Sequence, residues 1–277
     1  MLGYEMDTNL ADIRLVASDM DFTLLADDKS MPEGMDERIA ELERVGVTFA
    51  AASGRPLYTL RDLFPVSHER MALVSDNGAA VVCRGEVVFK SLIDPADLEA
   101  LLAFTRERTD GVPIVCGLDA GYVPEYARCY DEVFREFYHE IVYVESLEGL
   151  GREANKYTVY FPEGNAVAMR DEVFIPAFGE RLSVTCGGSV WIDIMNKGVD
   201  KGTGLARLCA HLGIAQADAA AFGDTDNDVE MLEWAGHSYL MANAEQRMEP
   251  HARFRAPSCN DRGVAVVIDR ILEAKRA

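Results

Sequence analysis

Ile13-Arg14-Leu15-Val16-Ala17-Ser18-Asp19-Met20-Asp21-Phe22-Thr23 is the stretch from which the rest of the chain can be read. Its apolar run shows no alternation, which predicts a strand buried on both faces, as in a parallel sheet. The change to Ser18-Asp19 marks the carboxyl edge of that strand. Ligands of an open parallel sheet bind outside its carboxyl edges. Asp19 and Asp21 are therefore the first candidates for chemistry.

Downstream, Met35, Ile39, Leu42 and Val45 fall at helical spacing and predict a helix from Pro32 to Val45, closed by Gly46. A second buried strand, 47–52, ends at Ser53-Gly54-Arg55. A helix from Leu57 to Phe64 leads to a third strand at 71–74. This alternation is that of a doubly wound, Rossmann-like α/β sheet. The rhythm then changes. Residues 80–83 and 86–89 read as a hairpin around Arg84-Gly85. Beyond it, helices at 95–108 and 128–139 mix with short strands at 141–145, 157–161, 182–185 and 190–194. After Lys197-Gly198 the βα order returns, with a helix at 201–212, a strand at 219–222 ending in Gly223-Asp224, and further units at 228–235, 238–241 and 263–274. The parse is a parallel-sheet core, 1–84 and 196–277, split by an α+β insertion, 85–195.

Composition narrows the chemistry. The 277 residues carry 27 Lys and Arg against 47 Asp and Glu, a net charge of −20. So acidic a surface repels phosphate backbones and anionic lipid, so neither nucleic acid nor a membrane is an expected partner. A small anionic substrate needs a local cationic trap. No apolar run approaches the roughly 18 residues of a membrane span. The opening dozen residues lack the pattern of a secretory signal. The six cysteines are scattered and read as reduced thiols. A cytoplasmic protein, monomer or homodimer, is the expectation.

Four of the predicted edges are polar: Asp19-Met20-Asp21, Ser53-Gly54-Arg55, Lys201-Gly202, and Gly223-Asp224-Thr225-Asp226-Asn227-Asp228. Gathered at one edge they place carboxylates, a hydroxyl and cations around one spot, as phosphoryl transfer requires. Carboxylates suit Mg²⁺, and cations suit phosphate oxygens. Residues 223–228 also have the alternating carboxylates of a calcium loop. Val229 and Ala235, where that loop needs Gly and Glu, exclude it.

With these motifs in order, the chain resembles the haloacid dehalogenase superfamily, in its Cof-like phosphatase branch with a large α/β cap. The likeness extends through Asp76-Asn77-Gly78-Ala79, Ala242-Asn243-Ala244 and Asn260-Asp261-Arg262-Gly263. It implies Asp19 as nucleophile and Asp21 as acid and base. It also implies Mg²⁺ on Asp19, the Asp21 carbonyl and Asp224. Phosphate would be held by Ser53, Lys201, Asn227 and the N–H groups of Met20 and Gly54, with Asp228 in support. Lys201 is expected to keep Asp19 ionised. The insertion is expected to set specificity for a small phosphorylated metabolite, a sugar phosphate first, with pyridoxal phosphate or flavin mononucleotide as alternatives. Arg128, Lys156 and Trp191 read equally as cap contacts, surface charge or core. A phosphomutase and a non-catalytic phosphate binder remain open. A signalling receiver domain lacks the second acid and the insertion. The chain departs from the family at Phe22, where Gly is usual. Phe is expected to bar a positive φ there and to pack on the cap or the leaving group.

Overall fold

A computed structural model of the protein describes residues 1–277. It contains two compact units. One comprises Met1–Gly54, Leu60–Phe89 and Asp200–Ala277; the other comprises Arg55–Thr59 and Lys90–Val199.

The first unit is built on a nine-stranded sheet. In spatial order its strands are Leu2–Gly3, Phe254–Ala256, His237–Met241, Ala219–Gly223, Leu15–Ser18, Thr48–Ala52, Ala72–Ser75, Ala80–Cys83 and Glu86–Lys90. The pairs from Leu2–Gly3 through Ala72–Ser75 are parallel, and Ala80–Cys83 returns antiparallel. The inner strands are buried at every position, which is why they read as unbroken apolar runs. On one face Leu15, Ala17, Ala50 and Val74 pack with Leu205, Leu208, Met231 and Leu232 of two helices, Lys201–Leu212 and Val229–Trp234. The Met35–Arg44 and Gly263–Arg276 helices pack against each other, with Ile39, Leu42, Ile268 and Ile271 buried. Glu86–Lys90 remains on the sheet edge, so the units divide at 89/90 and 199/200, a few residues beyond the expected boundaries at 84/85 and 195/196.

The second unit holds a six-stranded sheet in the order Leu182–Gly187, Trp191–Asn196, Lys156–Tyr160, Val112–Cys116, Gly121–Pro124 and Ile141–Val144. It is antiparallel except for its last pair. Two of these strands, Val112–Cys116 and Gly121–Pro124, and the helical turns from Ala166 to Phe178 go beyond the elements legible in the sequence. Pro113 and Pro124 mask the strand pattern. Pro176 lacks the N–H a regular ladder needs, and the turn before it widens into a π-helix at Arg170–Phe174. The expected helix at 128–139 is shorter, a 3₁₀ segment Glu125–Tyr130 followed by Asp131–Arg135. None of the six cysteines is paired in a disulfide. No helix is long and apolar enough to cross a membrane.

Candidate active site

Sheet order places the site. From Leu15–Ser18 the chain lays its next strands on one side and its last parallel strands on the other. Connections diverging in this way open a crevice at the carboxyl end of the strand where the order reverses. Two acidic loops leave there, one from Leu15–Ser18 and one from its neighbour Ala219–Gly223. Ser18 is level with Phe222, and the Asp19 N–H donates to the Phe222 carbonyl at 3.0 Å.

Each carboxylate has a structural reason for its position. Asp228 folds back beneath the end of its strand because Gly223 has no side chain. A Cβ there would lie 2.5 Å from that of Asp228. The Oδ2 of Asp228 accepts from the N–H groups of Asp224 (2.9 Å) and Thr225 (3.1 Å). Its Oδ1 accepts from Lys201 Nζ at 2.7 Å. Lys201 opens its helix behind a capping box: Asp200 Oδ1 accepts from Thr203 N–H, and Thr203 Oγ1 accepts from Asp200 N–H. The ammonium, fully buried, donates to Asp19 Oδ1 at 2.5 Å. Thr23 Oγ1 donates to Asp224 Oδ1 at 2.8 Å.

Asp19, Asp224 and Asp228 bring ligand oxygens within 4.8 Å of one another. Burial drives the Asp19 pKa well above the carboxylate range, and the charges of Asp228 and Asp224 add to it. Lys201, the next largest influence, opposes the rise. Burial likewise, then Asp228, pushes Asp224 up to about 6. Burial pulls the Lys201 ammonium down, but Asp19 and Asp228 outweigh it and its pKa rises. Three clustered carboxylates and one ammonium leave negative charge uncompensated. Hard oxygen donors with that excess fit a divalent cation such as Mg²⁺.

The phosphate-side candidates lie on the adjoining strand ends. Ser53 is buried, and its N–H donates to Val74 O at 2.9 Å. Asp76, Asn77 and Gly78 are all left-handed, a run that turns Asn77 back over this edge. The Asn77 N–H donates to Ser53 O at 2.9 Å, and a Cβ on Gly54 would sit 3.2 Å from its amide. Asn227 Nδ2 donates to Asn77 Oδ1 at 3.1 Å, tying the two sides together. The Met20 side chain is core, so only its backbone can serve a ligand. Asp21 lies half-buried at the rim, with Lys29 Nζ 2.9 Å from its Oδ1.

Phe22 adopts φ 60°, the left-handed conformation its side chain was expected to bar. Asn243 Nδ2 holds its carbonyl at 2.8 Å, and Lys29 Nζ sits 4.6 Å from the ring centroid. Thr23, Lys29 and Asn77 are site neighbours to which the sequence assigned no role. Asn77-Gly78 carried a turn signal, and Thr23 a hydroxyl within the acidic loop. Of the cap candidates, Arg128 pairs with Glu125 on the surface. Trp191 packs on Tyr160 at 4.7 Å in an aromatic cluster. Lys156 is buried 3.6 Å from Asp193.

Residues 16–268 match the family model of haloacid dehalogenase-like hydrolases. The chain is 30% identical to the 5-amino-6-(5-phospho-D-ribitylamino)uracil phosphatase YbjI of Escherichia coli K12, over 94% of this chain and 97% of that protein. It is 28% identical to the HMP-PP phosphatase of Escherichia coli strain 55989, over 86% and 88% of the two chains. Among solved structures, SMU.1108c from Streptococcus mutans UA159 superposes with a TM-score of 0.85 at 28% identity, covering 94% of this chain and 99% of that one.

Proposed function

The chain belongs to the haloacid dehalogenase-like hydrolases, in their Cof-like branch, and from that premise we propose a Mg²⁺-dependent phosphatase acting on a small sugar or sugar-alcohol phosphate. The observation carrying this reading is the set of three buried carboxylates, two of them paired with the Lys201 ammonium, at the point where the strand order reverses. The phosphorylated ribityl chain in the name of the Escherichia coli relative supports the polyol part of the substrate.

Asp19, Asp224 and the Asp21 carbonyl would hold Mg²⁺, whose charge would favour the ionised form of Asp19 and neutralise phosphoryl charge. A carboxylate oxygen of Asp19 attacks phosphorus, and the bond from phosphorus to the leaving oxygen breaks. Asp21 gives that oxygen a proton as the alcohol departs, leaving a phosphoaspartate on Asp19. Asp21, now a carboxylate, takes a proton from water as the water oxygen attacks phosphorus. The acyl phosphate bond breaks, releasing phosphate and restoring Asp19. Ser53, Lys201, Asn227 and the N–H groups of Met20 and Gly54 hold the phosphoryl oxygens throughout. Asp228 acts through Lys201 and the 224–225 backbone, the groups it bonds.

Phosphate release across a panel of phosphorylated metabolites, with Mg²⁺ and with excess chelator, tests this. Release is expected with Mg²⁺ and lost on chelation, and Asp19→Asn should abolish it. Full activity in chelator would sink the Mg²⁺ assignment. An isomerised hexose phosphate without free phosphate would identify a mutase instead.

A further inference from the structure

Asp21 presents a problem the mechanism leaves open. A carboxyl that delivers a proton must be aimed at the leaving oxygen before that oxygen departs, a demand that attack by water on the phosphoaspartate does not repeat. Yet Asp21 lies on a rim loop with 30% of its side chain exposed. We infer that Lys29 is a positioning residue that holds the Asp21 carboxyl, and that Phe22 is the shelf on which Lys29 rests. This inference rests on the phosphatase reading and on Asp21 as its proton donor.

The geometry is specific. Lys29 Nζ is 2.9 Å from Asp21 Oδ1 and at the same time 4.6 Å from the centroid of the Phe22 ring. A long, solvated lysine gains little from an exposed carboxylate alone. A ring beneath the ammonium removes part of its freedom and adds a cation–π attraction. Both supporting residues take a conformation that non-glycine residues avoid: φ is 60° at Phe22 and 67° at Lys29. The surrounding loop is anchored so that they keep it. Asn243 bonds the Phe22 carbonyl, and the Asn260 side chain takes the Asp27 N–H at 3.1 Å and reaches the Asp27 carboxylate at 2.9 Å. The turn itself closes through Lys29 N–H to Ala26 O and Ala26 N–H to Ser30 O. Asn243 and Asn260 lie in segments that the sequence singled out without assigning them work. Here they fix the loop that aims Lys29. Phe22, replacing the usual glycine, supplies the one group glycine could not, a face for the ammonium.

The test uses the full chain with saturating Mg²⁺ and two esters. One is p-nitrophenyl phosphate, whose leaving anion departs without a proton, and the other phenyl phosphate, whose phenolate leaves far less readily. Lys29→Met should lower kcat on phenyl phosphate about tenfold, a fraction of the general-acid contribution, and leave KM within about twofold. On p-nitrophenyl phosphate kcat should change by less than about threefold. Lys29→Arg should restore much of the loss, and Phe22→Leu should reproduce the same pattern more weakly. In an Asp21→Asn background, Lys29→Met should cost nothing further, because its action runs through that carboxyl. Equal losses on both esters, or a full loss persisting in Asp21→Asn, would overturn the inference. A raised KM on both esters with kcat unchanged would make Lys29 a substrate-binding cation and overturn it as well. A wild-type chain hydrolysing neither ester sinks the phosphatase reading itself, and this inference with it.

Discussion

At Asp224 the fold holds a carboxyl in a place that favours its protonated form, with a pKa raised from 3.8 to about 6 by burial and by Asp228. The unfolded chain ionises this group at the ordinary value. Between pH 4 and 6 it therefore binds fewer protons than the folded chain, and stability falls as pH rises. Across that window the loss is on the order of 3 kcal/mol, at about 1.4 kcal/mol per unit. A divalent cation reverses the sign, because it binds the ionised form. Asp224→Asn should therefore be more stable than wild type at pH 7 in chelator, and should gain nothing from Mg²⁺. Wild type should gain more from Mg²⁺ at pH 7 than at pH 5. Thermal unfolding at the two pH values, with and without the ion, measures both. A variant less stable than wild type in chelator would show that Asp224 is not the strained group.

Among the elements, the acidic loop after Ala219–Gly223 depends on close packing that only glycine permits. Gly223→Ala places a methyl group 2.5 Å from Asp228 Cβ and 2.6 Å from its Cγ. Overpacking of this kind costs about 1–3 kcal/mol. Its functional cost should be larger, since Asp228 must move and Lys201 loses one of its two partners. Denaturant unfolding should show the modest loss. Turnover should fall much further than the unfolded fraction accounts for; a parallel decline would remove Asp228 from any part in holding Lys201. The same scale explains what the sequence could tell. Leu15–Ser18 and Thr48–Ala52 were legible because strands buried on both faces leave an unbroken apolar run, and the polar residues ending them announced the site. Val112–Cys116 was not, since Pro113 interrupts its pattern. Asp19, Asp224 and Lys201 stand out as charged residues at the predicted ends of apolar strands and the start of a helix. Thr23, Asn77 and Lys29 do not, because their part depends on left-handed turns and loop anchors. A non-glycine residue gives no sign that it will adopt such a conformation, and Phe22 gave the opposite one.

For the whole molecule, every residue assigned to metal, phosphate or proton transfer belongs to the unit that holds the nine-stranded sheet. The segment Lys90–Val199 contributes its own six-stranded sheet and its own cores. It is joined in sequence at Phe89–Lys90 and Val199–Asp200. The short piece Arg55–Thr59, directly after Ser53-Gly54, groups with it. We propose that this second unit reads the leaving group while the first performs the chemistry. Replacing Lys90–Val199 by a Gly/Ser linker should then leave Mg²⁺ binding and the response of unfolding to inorganic phosphate in place, provided the sheet unit still folds by circular dichroism. Hydrolysis of p-nitrophenyl phosphate should fall modestly. Catalytic efficiency on the preferred metabolite should fall by about 100-fold or more, because contacts remote from phosphorus are what convert binding into rate. The decisive quantity is the ratio between the two esters. If the shortened chain kept the wild-type ratio, recognition of the leaving group would have to lie with the sheet unit, where Phe22 and Lys29 stand at the rim.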